Sequence, residues 1–234
     1  MATMTGVHVN KRIGAAFVAA LATGGIMAPS AAATRGTVCT GVSGCKVVSR
    51  ADVDGDGRAD QVGVTTRVAS SGERSTVVRV RTARGLTLKT TTKGVWYSNP
   101  WHGAAKIDGQ PGYELVIGAN AGAHAQFFRV ITYRSGQLVT LKGPGNSYTW
   151  LIDSSYSFNS GWYRKTSSGR VQMTSKGAVR NVDSAGHDLR INTYQWRSGS
   201  WSRVSSSRNR HASDRAAMTI GGWHVPYLKV YGRG

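Results

Sequence analysis

The stretch Asp52-Val-Asp54-Gly-Asp56-Gly57-Arg58-Ala-Asp60 decides how this chain is interpreted. It places four carboxylates at alternate and near-alternate positions of a short, glycine-bearing segment. Ca²⁺ takes about six to eight oxygen ligands, and this spacing lets one tight loop direct its side chains at one centre. We predict a calcium site in which Asp52, Asp54, Asp56 and Asp60 supply carboxylate oxygens and Arg58 supplies its carbonyl. The alternative is an acidic Asp-Gly turn without a metal, since Asp and Gly are both common turn residues.

The residues on either side of this loop indicate strands rather than helices. A helical EF-hand requires a bidentate glutamate at position 12, and that position is Gly63. Residues 45–50 and 61–67 are short, rich in β-branched side chains and interrupted by glycine, as in β-strands. The sequence therefore predicts a calcium loop inside a β-hairpin and excludes an EF-hand.

Residues 51–64 resemble the calcium loop of FG-GAP/VCBS-type repeats, which occur in integrin α-subunit propellers and in many secreted bacterial proteins. The resemblance implies a β-hairpin that is clipped by calcium and lies within a blade-like sheet. It also implies an adhesive or accessory role rather than a catalytic one.

The N-terminal residues have the organisation of a secretory signal peptide. Lys11 and Arg12 form a positive segment, residues 13–27 are apolar and small, and Ala31-Ala32-Ala33 offers a cleavage site before Thr34. We expect residues 1–33 to be removed and the protein to be secreted. The apolar stretch is too short and too rich in Ala and Gly for a membrane span, so we expect no membrane-spanning segment.

Two cysteines, Cys39 and Cys45, are the complete cysteine content of the chain. An even number of cysteines in a secreted protein predicts a disulfide. The Cys39–Cys45 bond would pin the start of the mature chain just before the calcium loop.

The remainder of the chain predicts one all-β domain over residues 34–234. Short runs of Val, Ile, Thr, Tyr and Trp alternate with Gly, Ser and Asn, and no amphipathic helix is evident. Residues 105–118 align with 51–64, and residues 182–191 give a fainter copy. We predict two or three blade-like units, over about residues 47–95, 101–145 and 150–210, arranged as a partial propeller-like stack or a sandwich. Chance similarity among hairpins is the alternative.

The charge of the chain favours an anionic partner. There are 30 Lys and Arg residues against 11 Asp and Glu, a formal net charge of +19. A surplus of this size attracts anionic cell-wall polymers, acidic glycans or nucleic acid. No nucleic-acid docking motif is present, so we expect an anionic wall polymer or glycan and no specific nucleic-acid partner. A solvated cationic surface without a partner is the other interpretation.

Two tryptophans stand next to segments that resemble loops. Trp101 follows Ser98-Asn-Pro100, and Trp223 follows Gly221-Gly222. Exposed aromatic rings can stack on the apolar faces of sugars, which makes Trp101 and Trp223 candidate ligand residues. The alternative is that both belong to the β core.

The sequence favours a non-catalytic binding or adhesion protein over an enzyme. It contains no Gly-x-Ser-x-Gly elbow and no His-Glu-x-x-His motif. The alternative is a secreted hydrolase acting on wall polymers or glycans, with a structural calcium ion. Its carboxylates would be drawn from Asp108, Glu114 and Asp153.

Overall fold

The described part of the protein is almost entirely β-strand. The structure is a computed structural model that describes residues 36–94, 99–183 and 185–228, without the side chains of 210–212. Its elements are β1 (Lys46–Ala51), β2 (Asp60–Val68), β3 (Arg74–Arg81), β4 (Thr87–Lys93), β5 (Trp101–Ala105), β6 (Glu114–Ala121), β7 (Ala125–Arg134), β8 (Gln137–Leu141), β9 (Trp150–Ser154), β10 (Phe158–Ser167), β11 (Arg170–Arg180), β12 (His187–Arg197), β13 (Ser200–Ala212), α1 (Asp214–Met218) and β14 (Gly222–His224).

These strands form two sheets. The first has the order β1-β2-β3-β4, and the second has the order β13-β12-β11-β10-β9-β7-β6-β5, with β8 on β7 and β14 on β10. Every pairing is antiparallel except β10 with β14. Strands that are consecutive in the chain pair with each other to give three meanders, β1–β4, β5–β8 and β9–β13.

Strands β6 and β7 lie between two hydrophobic cores. On β6, Leu115 and Ile117 pack with the valines of β2 and β3, whereas Val116 faces the opposite cluster. That second cluster contains Trp150 and Met173, from β9 and β11. Because alternate residues of a strand point to opposite faces, β6 is buried on both sides. The result is a sandwich-like stack, which confirms the predicted all-β fold class.

The disulfide bond lies directly on the β1–β2 hairpin, which carries the acidic loop. Cys39 and Cys45 are bonded to each other, as the sequence predicted. A Cβ atom at Gly63 of β2 would lie 3.0 Å from Cys39 Sγ and 3.1 Å from Cys45 Sγ. Gly63, which is position 12 when Asp52 is counted as position 1, is the point at which the disulfide packs against the backbone of β2.

The C-terminal segment closes one end of the second sheet. The five-residue helix α1 is capped by Ser213, whose side chain accepts a hydrogen bond from Ala216 N. Ala217 and Ile220 pack on Ala178, and β14 then runs parallel to β10.

Two of the three predicted repeats lie at equivalent places in their meanders, and the third does not. Residues 51–64 and 105–118 both span the first hairpin of their meander, whereas residues 182–191 span the β11–β12 turn. The predicted signal peptide, residues 1–33, lies outside the described residues. Among the described residues, no helix has the length and apolar character needed to cross a membrane.

Candidate metal centre in the β1–β2 hairpin

Asp60 is the buried carboxylate that holds the backbone of the loop between β1 and β2. It is the first residue of β2 and is only 1% exposed. Its Oδ2 accepts hydrogen bonds from Val53 N at 2.8 Å and Asp54 N at 3.3 Å, and its Oδ1 accepts one from Ala83 N at 2.8 Å. Asp60 thus fixes the loop against the β3–β4 turn.

The other three aspartates accept backbone hydrogen bonds within the loop. Asp54 Oδ1 accepts from Asp56 N at 3.2 Å, Asp56 Oδ1 accepts from Arg58 N at 2.9 Å, and Asp52 Oδ2 accepts from Gly57 N at 3.0 Å. Aspartate side chains usually stabilise turns in this way, by accepting hydrogen bonds from backbone N–H groups further along the chain. They explain the local fold of the loop from its sequence.

Three of the four aspartates converge. One carboxylate oxygen from each of Asp52, Asp54 and Asp60 lies within 4.8 Å of the others. Burial, followed by the charges of Asp60 and Asp56, raises the pKa of Asp54, against the lowering effects of the Asp56 N–H and Arg84. Carboxylates this close repel each other unless a cation neutralises them. The Asp52–Asp54–Asp60 group could therefore hold a metal ion.

One carboxylate oxygen of this group, Asp52 Oδ1, lacks in the described part of the chain a partner that a bound cation would supply. Asp52 Oδ1 is shielded from solvent and has no hydrogen-bond partner among the described residues. A buried carboxylate oxygen without a donor is costly, and a bound cation is the partner that would satisfy it. Hard oxygen ligands of this kind suit Ca²⁺ or Mg²⁺.

Asp56 and Arg58 are placed differently from the three converging residues. Asp56 Oδ2 accepts a hydrogen bond from Arg84 Nε at 3.0 Å, and Asp56 does not belong to the converging group. The side chain of Arg58 donates to Ala83 O at 3.4 Å. The roles of Asp56 and of the Arg58 carbonyl as metal ligands stay predictions.

The β5–β6 hairpin repeats this carboxylate framework. Glu114 Oε2 accepts from Ile107 N at 2.6 Å, as Asp60 Oδ2 accepts from Val53 N. Asp108 Oδ1 accepts from Gln110 N at 2.8 Å, as Asp54 Oδ1 accepts from Asp56 N. The alignment of residues 105–118 with 51–64 pairs these same carboxylates, Asp108 with Asp54 and Glu114 with Asp60.

An arginine neutralises the carboxylates of the second hairpin. Arg134, at the end of β7, donates from a guanidinium nitrogen to Asp108 Oδ2, and the same nitrogen lies 4.0 Å from Glu114 Oε1. Burial, and then the charge of Asp108, raises the pKa of Glu114 to about 7. Arg134 was not among the residues predicted from the sequence, in which it directly precedes Ser135-Gly136 of the β7–β8 turn.

The two candidate ligand tryptophans have different environments. Trp101 is partly buried and lines a cleft of about 600 Å³ beside the loop, together with Asp52, Tyr113 and Tyr227. Trp223 is 0% exposed and packs against Phe128 and Trp150. The proposal of Trp223 as a ligand residue is therefore wrong, because no face of its ring reaches solvent. It is a core residue on β14, which pairs with β10, and the preceding Gly222 has a positive φ of 101°.

Comparisons with known proteins identify no relative. No protein-family model, no curated protein and no solved structure matches the chain.

Proposed function

We propose that the chain is a secreted, calcium-binding, non-catalytic binding module that contacts anionic polymers or glycans of a cell envelope. The observation that carries the calcium assignment is Asp52 Oδ1, a buried oxygen without a hydrogen-bond donor among the described residues, on one of the three converging aspartates. The arginine in the second hairpin supports it, because the same framework there contains a positive charge. The disulfide supports export, since such bonds persist in oxidising compartments.

The binding role rests on cationic surface that is free to bind. Arg190 and Arg203 lie on β12 and β13 beside Asn192 and Ser206, in an open polar groove of about 540 Å³. Both are exposed, and neither side chain forms an ion pair or hydrogen bond with another described residue, although both backbones pair within the sheet. Unpaired guanidinium groups next to hydroxyls match phosphate and carboxylate oxygens. This groove supports an anionic polymer as partner.

Membership of the FG-GAP/VCBS-type repeats is part of the proposal. Two features support it, the acidic loop in the first hairpin of the first meander and the equivalent hairpin framework in the second. A metal-clipped hairpin in a blade-like meander is what the resemblance implies.

The hydrolase alternative is favoured by a single observation, the raised pKa of Glu114 beside Asp108. Perturbed carboxyl pairs are a feature of acid–base catalysts. Both side chains are buried, however, and are engaged by backbone N–H groups and by Arg134. Their geometry supports a structural role. Turnover of peptidoglycan, polysaccharide or ester substrates that disappears in a folded Glu114→Gln variant would establish the enzyme instead.

Thermal unfolding of residues 34–234 in millimolar Ca²⁺ and in excess EGTA tests the metal assignment. A ligand present at about a hundred times its Kd stabilises the native state by about 2.7 kcal/mol, which corresponds to a rise in Tm of about 5–10 °C for a domain of this size. We expect this rise in the wild type and not in Asp54→Ala. The matched control is Asp183→Ala, which removes an exposed carboxylate outside the loop and should keep the full rise. Equal Tm values with and without Ca²⁺ would refute the site.

Retention on immobilised anionic polymer over a salt series tests the partner. Screening weakens contacts between exposed charges, so retention should fall as salt rises. It should fall further in the double variant Arg190→Gln/Arg203→Gln than in the control Arg67→Gln/Lys89→Gln, which removes two exposed charges elsewhere. Retention that stays constant as the salt concentration rises would exclude this partner.

A further inference from the structure

A second cleft, far from the acidic loop in sequence, is formed by three separate segments. It is lined by the β7–β8 hairpin, by the loop at residues 142–148 and by the β12–β13 hairpin, and its volume is about 680 Å³. Ligand sites in proteins usually have volumes of about 300–1,000 Å³. The segments come from the second and third meanders, so the cleft exists only in the assembled fold.

Three aromatic side chains line this cleft, Tyr148, Trp196 and Trp201. Trp196 and Trp201 meet edge to face with centroids 5.1 Å apart, and both are anchored against the main core. Tyr148 is 50% exposed. The indole Nε1 of Trp201 is shielded from solvent and donates to no acceptor among the described residues. Rings that are fixed by the core can stack on a flat ligand.

Two cations, Arg134 and Lys142, also line the cleft. Lys142 Nζ lies 5.2 Å from the centre of the Tyr148 ring, within the range of a cation–π contact. Arg134 is held in place by Asp108, although its side chain remains 32% exposed. None of the residues that line the cleft is acidic. The cleft therefore presents aromatic faces and positive charge without a competing carboxylate on its walls.

We propose that this cleft binds a pyranose unit that carries a carboxylate, as in uronate-containing polysaccharides. The apolar face of the sugar ring would stack on Tyr148, and the carboxylate would meet Lys142 and the partly exposed side chain of Arg134. Phosphate polymers without sugar rings offer the charge but no face for the aromatic side chains. This inference rests on the proposed function, because it names the ligand class of the same binding module.

The test is calorimetric titration with an oligosaccharide of alternating glucuronate and N-acetylglucosamine. Stacking and cation–π contacts at partly exposed sites each change affinity by about three- to tenfold. We expect Tyr148→Ala and Lys142→Ala each to weaken binding by that factor. The matched controls are Tyr156→Ala, whose side chain is 55% exposed, and Lys89→Ala on β4, which should bind as the wild type does.

Two competing probes complete the experiment. A neutral N-acetylglucosamine oligomer and poly(glycerol phosphate) should each bind at least tenfold more weakly than the uronate probe. Equal affinity for either probe, or equal losses in test and control variants, would overturn the proposal. The calcium-dependent rise in Tm is measured on the same four variants, so that failure of the cleft and failure of the metal site are read separately.

Discussion

Arg84 is the one described cation that forms an ion pair with an aspartate of the acidic loop. Its Nε donates to Asp56 at 3.0 Å, and its side chain is largely exposed. A Ca²⁺ ion that recruited Asp56 as a fourth carboxylate would have to displace this guanidinium. Exposed ion pairs contribute about 0–1 kcal/mol, so the competition is modest.

We therefore expect Arg84→Gln to tighten Ca²⁺ binding by up to about fivefold. Arg67→Gln removes the same charge from the distal end of β2 and controls for the change in net charge. Calorimetry with Ca²⁺ measures both. Weaker binding in Arg84→Gln would mean that Asp56 does not become a ligand.

Gly63 tests how closely the disulfide packs on the hairpin. A methyl group there would meet Val38 Cγ1 at 2.9 Å as well as both sulfur atoms. Overpacking of this kind costs about 1–3 kcal/mol, and we expect Gly63→Ala to lower the free energy of unfolding by that amount. Gly122→Ala is the control, because its nearest neighbour would lie 3.8 Å away. Denaturant unfolding at fixed Ca²⁺ gives both values, and equal stability of the two variants would show that the disulfide can move aside.

Among the elements, the β5–β6 hairpin depends on Arg134 for its positive charge. Removing one partner from a buried ion pair leaves an uncompensated charge and costs about 3–5 kcal/mol. We expect Arg134→Met to destabilise the protein by about that amount. The triple variant Asp108→Asn/Glu114→Gln/Arg134→Met should recover much of the loss in denaturant unfolding. Without such recovery, Arg134 would act through packing rather than through charge.

The same hairpin makes stability depend on pH. Burial and the charge of Asp108 raise the pKa of Glu114 from 4.5 in the unfolded chain to about 7. The hydrogen bonds from Ile107 N and Thr132 Oγ1 and the charge of Arg134 act on this pKa in the opposite direction. The native state then binds more protons than the unfolded state between these values, so its stability falls as pH rises. We expect the free energy of unfolding to decrease from pH about 5 to pH about 7.5, and Glu114→Gln to flatten this profile. A wild-type profile that rises over this range would contradict the assignment.

The hairpins also show what the sequence could predict. Alternating β-branched residues and Gly-rich turns indicated strands, and the aligned carboxylates of 51–64 and 105–118 indicated two related hairpins. Local spacing carries that information because turn geometry is local. Arg134 was missed because its contact with Asp108 joins residues 26 positions apart. Trp223 was misjudged because its burial depends on β10 and on Phe128 of β7, which are distant in sequence.

At the level of the whole molecule, the two related hairpins touch. Tyr113 N donates to Asp52 O at 2.8 Å. A Cβ atom at Gly112 would lie 2.4 Å from Val53 O, and one at Gly55 would lie 2.7 Å from Pro111 Cβ. Both glycines also have positive φ values, a conformation that other residues rarely adopt. The acidic loop is thus packed against the second meander rather than projecting into solvent.

Because of this contact, we expect removal of the metal from the first meander to change the amide exchange rate in the second meander as well. In EGTA, repulsion among Asp52, Asp54 and Asp60 should loosen the loop and release Tyr113 N from its acceptor. Local opening of this kind raises the rate of amide hydrogen exchange. We expect faster exchange over residues 52–60 and at Tyr113, with no change over residues 189–195 of β12. Asp54→Ala should exchange in Ca²⁺ as the wild type does in EGTA. Faster exchange confined to residues 52–60 would mean that the second hairpin holds its conformation through Arg134 alone.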